Sequence, residues 1–356
     1  MLATPFHAWH ADHKGRLVDF AGWEMPVQYT TIVEEHHAVR QNAGLFDVAH
    51  MGRITFSGPD AAACLDHLVT NDVSRMSIGR IRYALIVNTE GGVLDDVLVY
   101  RLEDQYLLVV NASNRVKILD WIAQHQSQFD VTVKDITTDR AMLAVQGPAA
   151  VELLAPLCAQ SIDQLKYYTG TITDVLGQSG LVSRTGYTGE DGFEVIIDPD
   201  TACKLWETLV ERGAVPAGLG CRDTLRLEAG MPLYGHELTD QVDPLTADLG
   251  FAVKLDAGDF IGREALRRIK EQPRGLRRVG LELQSRRIAR ENSTVLAGAN
   301  QIGQVTSGTF SPTLEKPIAM AYIAADHAQI GSEIQVDIRG KPVDATVVSL
   351  PFYRRG

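Results

Sequence analysis

The sequence has few cysteines, and they are not arranged for metal or redox chemistry. Its four cysteines, Cys64, Cys158, Cys203 and Cys221, lie far apart and form no CxxC pair. Zinc sites and redox dithiols use closely spaced cysteines, and isolated ones are typical of a reducing compartment. We therefore expect no bound metal.

Positive charge and long apolar runs are also scarce. Lys and Arg number 34 against 45 Asp and Glu, which gives a formal net charge of -11, whereas nucleic-acid-binding surfaces are basic. No apolar run approaches the ~18 residues that span a bilayer, and residues 1–15 lack the apolar core of a secretory signal. We expect a soluble, cytoplasmic protein that binds neither nucleic acid nor membrane.

Several common catalytic motifs are absent. The sequence has no GxxxxGK[ST] phosphate loop, no GxSxG nucleophile turn and no HExxH zinc helix. The string Gly218-Leu219-Gly220 is followed by Cys221-Arg222-Asp223, which fails the dinucleotide-binding pattern. ATP hydrolysis, hydride transfer and triad-type acyl transfer therefore lack their usual sequence support.

The composition is that of a globular protein with more than one domain. Of the 356 residues, 45% are hydrophobic and 22% charged, and a single core stops growing beyond roughly 250–300 residues. Hydrophobic periodicity predicts helices over 59–71, 114–124 and 200–211, and a β-hairpin of 82–87 and 93–101. Short strands beyond residue 278 predict a small all-β barrel or sandwich.

Two adjacent carboxylates lie on a strand that is predicted to be apolar on both faces. Because strand side chains alternate, Asp95 shares a face with Val97 and Asp96 shares the other with Leu98, so the two are not expected to serve one site as a pair. At least one should be withdrawn from water, which costs several kcal/mol unless the group is paired or protonated. A functional site and a structural role, as turn cap or arginine partner, both fit this spacing.

A second polar pair is Glu194, on a short predicted strand, and Arg222, after a glycine-rich turn. A carboxylate and a guanidinium at one pocket can recognise the donor and acceptor edge of a flat heterocycle. On the sequence alone, a structural Glu–Arg salt bridge is the simpler interpretation.

Eight strings along the chain carry a family resemblance. They are VDFAGWEMP (18–26), EHHAVR (35–40), GLFDVAHMG (44–52), GGVLDD (91–96), VQGP (145–148), GYTGEDGFE (186–194), RDTLRLEAGM (222–231) and TSGTFSPTL (306–314). In order and spacing they resemble the T-protein family, the aminomethyltransferases of the glycine cleavage system. The resemblance extends from residue 4 to about residue 352.

The resemblance implies an α+β fold, a three-domain cloverleaf of mainly antiparallel sheets with flanking helices, a C-terminal small β-barrel and a central folate channel. It implies a first α+β domain from residues 1–52 and 138–245 and a second from 53–137, which carries the hairpin with Asp95. Residues 246–276 are expected to form a connector and basic segment, and 277–356 the barrel domain.

The implied reaction uses tetrahydrofolate as a substrate. The one-carbon unit of the aminomethyl group on the lipoyl arm of the H-protein passes to tetrahydrofolate, giving 5,10-methylenetetrahydrofolate, ammonia and the dihydrolipoyl H-protein. An alternative on the same fold is another tetrahydrofolate-dependent demethylase. A third, a folate-binding protein of iron–sulfur assembly, is disfavoured because its KGCYxGQE string is missing.

The resemblance also implies roles for individual residues. Asp95, the first Asp of GGVLDD, matches the essential carboxylate, which would orient N5 and N10 of the folate and favour the cationic carbon formed as ammonia leaves. The expected folate-binding residues are Met51, Tyr83, Asn111, Tyr168, Tyr187, Glu194, Arg222 and Phe251, with Arg290 at the channel mouth. For Tyr83 and Tyr168, ordinary core packing is the alternative. The chain departs from the family at Ala49, often Ser, and at Phe251, often Trp.

A basic stretch lies between Arg263 and Arg290. Ten Lys and Arg residues there face only Glu264, Glu271 and Glu282 as opposing charges. On an acidic protein this is a candidate surface for the acidic H-protein or for the glutamate tail of folate. A solvated connector is the alternative interpretation.

Overall fold

The computed structural model describes residues 1–273 and 275–356. Its α-helices are α1 (His7–Asp12), α2 (Ile32–Gln41), α3 (Ala61–Leu68), α4 (Arg115–His125), α5 (Ala150–Leu154), α6 (Pro199–Glu211), α7 (Leu219–Glu228) and α8 (Arg263–Glu271). The three helices predicted from periodicity correspond to α3, α4 and α6. Among the described helices, none has the length and apolar character needed to cross a membrane.

The strands form four sheets. They are β1 (Arg16–Phe20), β2 (Trp23–Gln28), β3 (Gly44–Asp47), β4 (Gly52–Ser57), β5 (Ile81–Val87), β6 (Val93–Arg101), β7 (Tyr106–Val110), β8 (Thr132–Asp135), β9 (Ala141–Gln146), β10 (Gly170–Val175), β11 (Gln178–Ser183), β12 (Gly192–Ile197), β13 (Val215–Pro216), β14 (Leu276–Leu283), β15 (Thr294–Ala297), β16 (Asn300–Ser311), β17 (Lys316–Ala324), β18 (Glu333–Asp337) and β19 (Pro342–Val348).

The order of the strands separates three main layers. A six-stranded sheet has the order β10-β11-β12-β9-β3-β13, a five-stranded sheet has the order β5-β6-β7-β4-β8, and β14 to β19 close into a barrel. All pairs are antiparallel except β13 with β3. The all-β region predicted beyond residue 278 is thus a closed six-stranded barrel. We propose domain limits along these layers: 1–52 with 138–245, then 53–137, then 277–356, with 246–276 as connector.

The hairpin of β5 and β6 depends on the chemistry of its turn. The Asn88 side-chain oxygen accepts hydrogen bonds from the backbone N–H groups of Glu90 and Gly92, both at 2.9 Å. Gly91 has φ +89°, and a Cβ on Gly92 would lie 1.8 Å from the carbonyl oxygen of Asp240. Residues 239–242 can therefore pack against the hairpin only because glycine stands there, and this fixes the start of β6.

Helix α7 links the first domain to the barrel. It begins after Gly218, where a Cβ would come within 2.4 Å of the backbone of Val27. Leu225 packs in the core between the sheets, whereas Leu227 packs with Ile318 and Met320 of the barrel. One helix thus has an apolar face toward each neighbour.

The six-stranded and five-stranded sheets face each other across a shared apolar core. Phe46, Met142 and Ile196 of the first sheet pack with Tyr100 and Val109 of the second. Separate clusters fill the outer side of each sheet and the interior of the barrel. The space left where the two sheets, α7 and the barrel loops converge is the main cavity of the described chain.

Candidate active site

A cavity of about 940 Å³ opens between the three layers. Its walls come from both facing sheets, from α7 and the residues after it, and from barrel residues such as Thr306 and Gly308. This volume is in the range of sites that enclose most of a drug-sized ligand. The cavity is therefore large enough for a folate-sized molecule.

Nine residues singled out from the sequence line this one cavity. They are Met51, Tyr83, Asn111, Tyr168, Tyr187, Glu194, Arg222, Phe251 and Arg290. They are spread between residues 51 and 290 of the chain. The fold, and not sequence proximity, therefore brings them together. Their role in folate binding remains a prediction.

The tenth predicted residue, Asp95, does not line the cavity. Asp95 is 0% exposed, whereas its neighbour Asp96 is half-buried and forms part of the cavity wall. The reason is the alternation of side chains along β6: Asp96 and Leu98 face the cavity, whereas Asp95 is directed into the protein. The expectation that Asp95 faces the cavity is therefore wrong in this structure, which places Asp96 at the cavity wall instead.

The two carboxylates are nevertheless connected, contrary to the expectation that they are independent. The Asn111 side-chain amide donates to Asp95 Oδ1 and to Asp96 Oδ1, each at 2.8 Å. Tyr83 Oη donates to the other Asp96 oxygen at 3.2 Å. Burial raises the pKa of both carboxyls above the usual range. Asp96 is thus accessible from the cavity, and the pKa of its carboxyl is raised.

Glu194 and Arg222 both line the cavity but do not form the salt bridge that the sequence allowed. Glu194 accepts a hydrogen bond from Thr185 Oγ1 at 2.5 Å, and the Arg222 guanidinium lies 4.8 Å from the centre of the Tyr187 ring. In the part of the chain that the structure describes, no ion pair joins the two. Burial raises the pKa of Glu194 and lowers that of Arg222. Both groups line the cavity and retain hydrogen-bonding capacity there.

Aromatic rings form much of the remaining wall. Tyr83 stacks on Phe251 at a centroid distance of 5.9 Å and an angle of 23°. Phe251 is 65% exposed, so this ring lies where the cavity meets solvent. The Tyr187 hydroxyl donates to the carbonyl of Pro232, which holds its ring beside Arg222. Flat, anchored rings of this kind bind a planar ligand with little loss of side-chain freedom.

Sequence reasoning missed several groups in the wall. His50 is one: it is 2% exposed, its Nδ1 has no partner in the described chain, and burial lowers its pKa to about 4. Asp96 was noticed beside Asp95 but was given no role. Tyr234 also lines the cavity and accepts a hydrogen bond from Lys117 Nζ at 2.8 Å. His50 lies inside the GLFDVAHMG string, which was a usable signal. Lys117 and Tyr234 are 117 positions apart, and no local pattern connects them.

The site offers no obvious metal ligands. Among residues 1–273 and 275–356, no group of three or more His, Cys, Asp or Glu side chains is arranged to hold a metal ion. The cavity wall offers the carboxylate of Asp96, the separate carboxylate and guanidinium of Glu194 and Arg222, and stacked aromatic rings. Such a set can orient a planar nitrogen heterocycle and stabilise a cation beside it.

Comparison with known proteins decides the family. The family model described as "GCVT N-terminal domain" matches residues 6–257, and that of the "Glycine cleavage T-protein C-terminal barrel domain" matches 277–354. The chain belongs to the glycine cleavage T-protein family. The predicted family is confirmed, and with it the predicted class of enzyme, aminomethyltransferase.

The relatives cover the whole chain. It is 49% identical to the aminomethyltransferase of Saccharopolyspora erythraea, across 99% of this chain and 98% of the relative. It is 51% identical to that of Rubrobacter xylanophilus, across 99% and 94%. The crystal structure of glycine cleavage system aminomethyltransferase T from Bartonella henselae superposes with a TM-score of 0.93 at 34% identity, across 99% and 98%. The predicted α+β T-protein fold with its C-terminal barrel is confirmed.

Proposed function

We propose that this chain transfers the one-carbon unit of the aminomethyl group on a lipoylated H-protein to tetrahydrofolate bound in the main cavity. In the reaction, the carbon loses its bonds to the lipoyl sulfur and to the amine nitrogen and gains bonds to N5 and N10. The two protons released from N5 and N10 end on the sulfur and on the ammonia. The products are 5,10-methylenetetrahydrofolate, ammonia and the dihydrolipoyl arm.

The observation that carries the proposal is that two different sets of polar groups line one cavity. Asp96 supplies a carboxylate on the five-stranded sheet, while Glu194 and Arg222 supply a mixed donor and acceptor edge from the other wall. A pterin ring bound at Glu194 and Arg222, with its reactive nitrogens toward Asp96, matches both. The cavity volume of about 940 Å³ leaves room for the lipoyl arm to approach.

Asp96 is the residue that we assign to the chemistry. Its ionised carboxylate stabilises the positive charge that develops on the carbon as ammonia leaves, and its raised pKa suits it to accept a proton from a folate nitrogen. Tyr83 and Asn111 hold this carboxylate in place by hydrogen bonds. Because the carboxylate is already held in position, little reorganisation energy is needed to reach the transition state.

The remaining predicted residues are assigned to binding. Met51, Tyr168 and Tyr187 supply soft or flat surfaces for the ring systems, and the exposed Phe251 lies against Tyr83 at the cavity edge. Arg290 is exposed and lines the cavity, so it can meet an anionic group at the mouth. The departure from Trp at Phe251 keeps the stacking face and removes only the indole N–H.

We further propose that the donor protein meets the exposed basic side chains near that mouth. Arg286, Arg287 and Arg290 are exposed, whereas Arg263 and Arg267 donate to the carbonyl of Leu255 and so serve the fold. Arg274 of the predicted basic segment lies outside the described residues. All four cysteines are free, in keeping with the cytoplasmic location that we propose.

The experiment compares wild type with Asp96→Asn, using aminomethylated H-protein and tetrahydrofolate and measuring ammonia and methylenetetrahydrofolate. We expect turnover to fall by about 10²–10⁴-fold, the usual contribution of a positioned acid–base or electrostatic group. Binding of a reduced folate, followed by calorimetry, should largely survive because Glu194 and Arg222 are untouched. Asp104→Asn, an exposed Asp in the turn after β6, is the matched control and should be fully active.

Two results would overturn the proposal. One is an Asp96→Asn variant with wild-type turnover, which would remove Asp96 from the reaction. The other is efficient demethylation of a small N-methylated amine without H-protein, together with no ammonia release from the aminomethylated H-protein. That second result would favour the demethylase alternative on the same fold.

A further inference from the structure

Two adjacent carboxylates share one amide donor at the cavity wall. The pairing of β6 with β7 begins at Leu98 opposite Val109, so Asp95 and Asp96 lie beyond the end of β7. Asn111, the residue after β7, takes the place of a ladder partner there. Its side-chain amide donates to both carboxylates at 2.8 Å, and its backbone N–H donates to Asp95 Oδ2 at 3.0 Å.

The two carboxylates differ in burial and in the N–H donors that surround them. Asp95 accepts three N–H donors, since Asn114 Nδ2 adds a contact at 2.6 Å to the two from Asn111. Asp96 accepts one donor from the side chain of Asn111 and a longer one from Tyr83. Donors to the ionised form stabilise it, so these three contacts offset part of the cost of burying Asp95 as an anion.

The charge on Asp95 is incompletely balanced by its neighbours. The titratable and charged groups that face the pair are Tyr83, Tyr168, Tyr187, Tyr234 and Lys117, and Asp240 acts on Tyr234 and Lys117. The tyrosines are neutral, Asp240 is of the same sign, and the Lys117 ammonium is hydrogen-bonded to Tyr234 at 2.8 Å instead of to either carboxylate. An anion at Asp95 therefore acts on Asp96 across a shared amide with little screening.

We propose that Asp95 is a positioning residue that, through Asn111, fixes the Asp96 carboxylate and raises its affinity for a proton. The inference rests on the proposed function, since it assigns Asp95 a role in the reaction of Asp96. A carboxylate whose proton affinity is raised toward the working pH is a stronger base for the proton that leaves a folate nitrogen. Asp95 thus contributes to the reaction without touching the substrate.

The test is the dependence of kcat and kcat/KM on pH in wild type, Asp95→Asn and Asp104→Asn. The reaction needs ionised Asp96, so activity falls as the pH drops through the pKa of that group. Removing the negative charge of Asp95 lowers this pKa, and the acidic limb should move by about one pH unit to lower pH. Turnover above the limb should persist in Asp95→Asn, and the limb should not move in Asp104→Asn.

The outcomes separate this inference from the proposed function. An active Asp95→Asn enzyme whose acidic limb coincides with that of wild type overturns the inference and leaves the role of Asp96 intact. An Asp95→Asn enzyme that binds folate but is as inactive as Asp96→Asn across the pH range makes Asp95 the reacting group and overturns both.

A second variant covers the case in which Asp95→Asn fails to fold. Asn114→Ala removes a donor that contacts Asp95 alone of the two carboxylates. Asp95 then binds a proton more readily, its negative charge is lost at a higher pH, and the acidic limb of Asp96 should again move to lower pH. An unchanged limb in Asn114→Ala counts against the inference just as directly.

Discussion

Two buried polar regions of this molecule differ in how completely their groups are paired. At the contact between α2, α7 and the barrel, the interdomain cluster of His36, Arg40, Glu228, Ser311 and Thr313 forms a closed network. Glu228 accepts hydrogen bonds from Arg40 Nη2 at 2.8 Å, from Thr313 Oγ1 at 2.8 Å and from the backbone N–H of Thr313 at 3.1 Å. His36 lies 3.1 Å from the same carboxylate.

The cavity shows the opposite condition. Arg222 stacks on Tyr187 without a carboxylate partner, and His50 Nδ1 is buried and unpartnered in the described chain. Unpaired buried polar groups are costly, so a fold retains them where a ligand completes their bonds. The interdomain cluster therefore stabilises the arrangement of domains, and the cavity groups are available to a substrate. Each prediction below tests this division.

The largest expected effect on stability lies in the interdomain cluster. Glu228→Ala leaves Arg40 and His36 without their shared anion in a buried setting, and we expect the free energy of unfolding to fall by about 3–5 kcal/mol. Urea titration measures it. Glu264→Ala, which breaks a surface pair with Arg267 at 3.0 Å, should cost less than about 1 kcal/mol. Equal losses in the two variants would contradict the division.

The pH dependence of this effect follows from the pKa of Glu228. Burial alone would raise that pKa, but hydrogen bonds from His36, Ser311 and Arg40 hold it at about 2, below its ordinary value of 4.5. Because the pKa of Glu228 is lower in the folded state than in the unfolded state, its ionisation stabilises the folded protein at pH values above the unfolded-state pKa. This contribution is lost as the pH falls through the folded-state pKa. The stability gap between wild type and Glu228→Ala should therefore narrow between about pH 4.5 and 2.

A smaller effect, on binding, is expected from two arginines one turn apart on α7. Arg222→Leu removes a charge that lacks a protein partner, so stability should be unchanged or higher while the Kd for a reduced folate rises roughly 10- to 100-fold. Arg226→Leu is the contrasting variant because Arg226 bonds Glu237 at 2.9 Å and Ser307 at 2.8 Å. It should lose stability instead. Calorimetry and thermal melts separate the two outcomes.

The contrast also shows how far the sequence could predict the molecule. Local patterns located the hairpin of β5 and β6, because Asn88 and two glycines specify its turn, and the helices with regular apolar spacing. The ordered strings identified the family, and the resemblance pointed to nine residues that line one cavity. The placement of Asp95 at the ligand cavity was wrong, because Asp96 lines the cavity and Asp95 is buried. Alternation states that the two side chains face opposite ways but not on which side the cavity lies.

What the sequence could not supply are contacts made by the assembled domains. The bond between Lys117 and Tyr234 and the bridge from Asn111 to two carboxylates depend on where strands end and loops return. The same limit applies to Glu194 and Arg222, for which a salt bridge and a ligand site were both open. The folded structure shows instead that Thr185 is the neighbour of Glu194 and that Tyr187 is the neighbour of Arg222.

The smallest expected effect concerns the exposed basic side chains near the mouth, where solvent screens every charge. If Arg286 and Arg287 steer an acidic donor protein, the double variant Arg286→Ala/Arg287→Ala should associate with it a few-fold more slowly at low salt. Between 0.01 M and 0.15 M ionic strength the Debye length falls from about 30 Å to about 8 Å, and over this range the difference in association rate should vanish. Stopped-flow binding of H-protein measures this rate.

The control variant Arg75→Ala with Lys204→Ala removes the same amount of charge elsewhere on the surface, so an equal slowing in that variant would attribute the effect to net charge. Because neither Arg286 nor Arg287 lines the cavity, single-turnover chemistry should remain at the wild-type rate, and this separates steering from the work of Asp96.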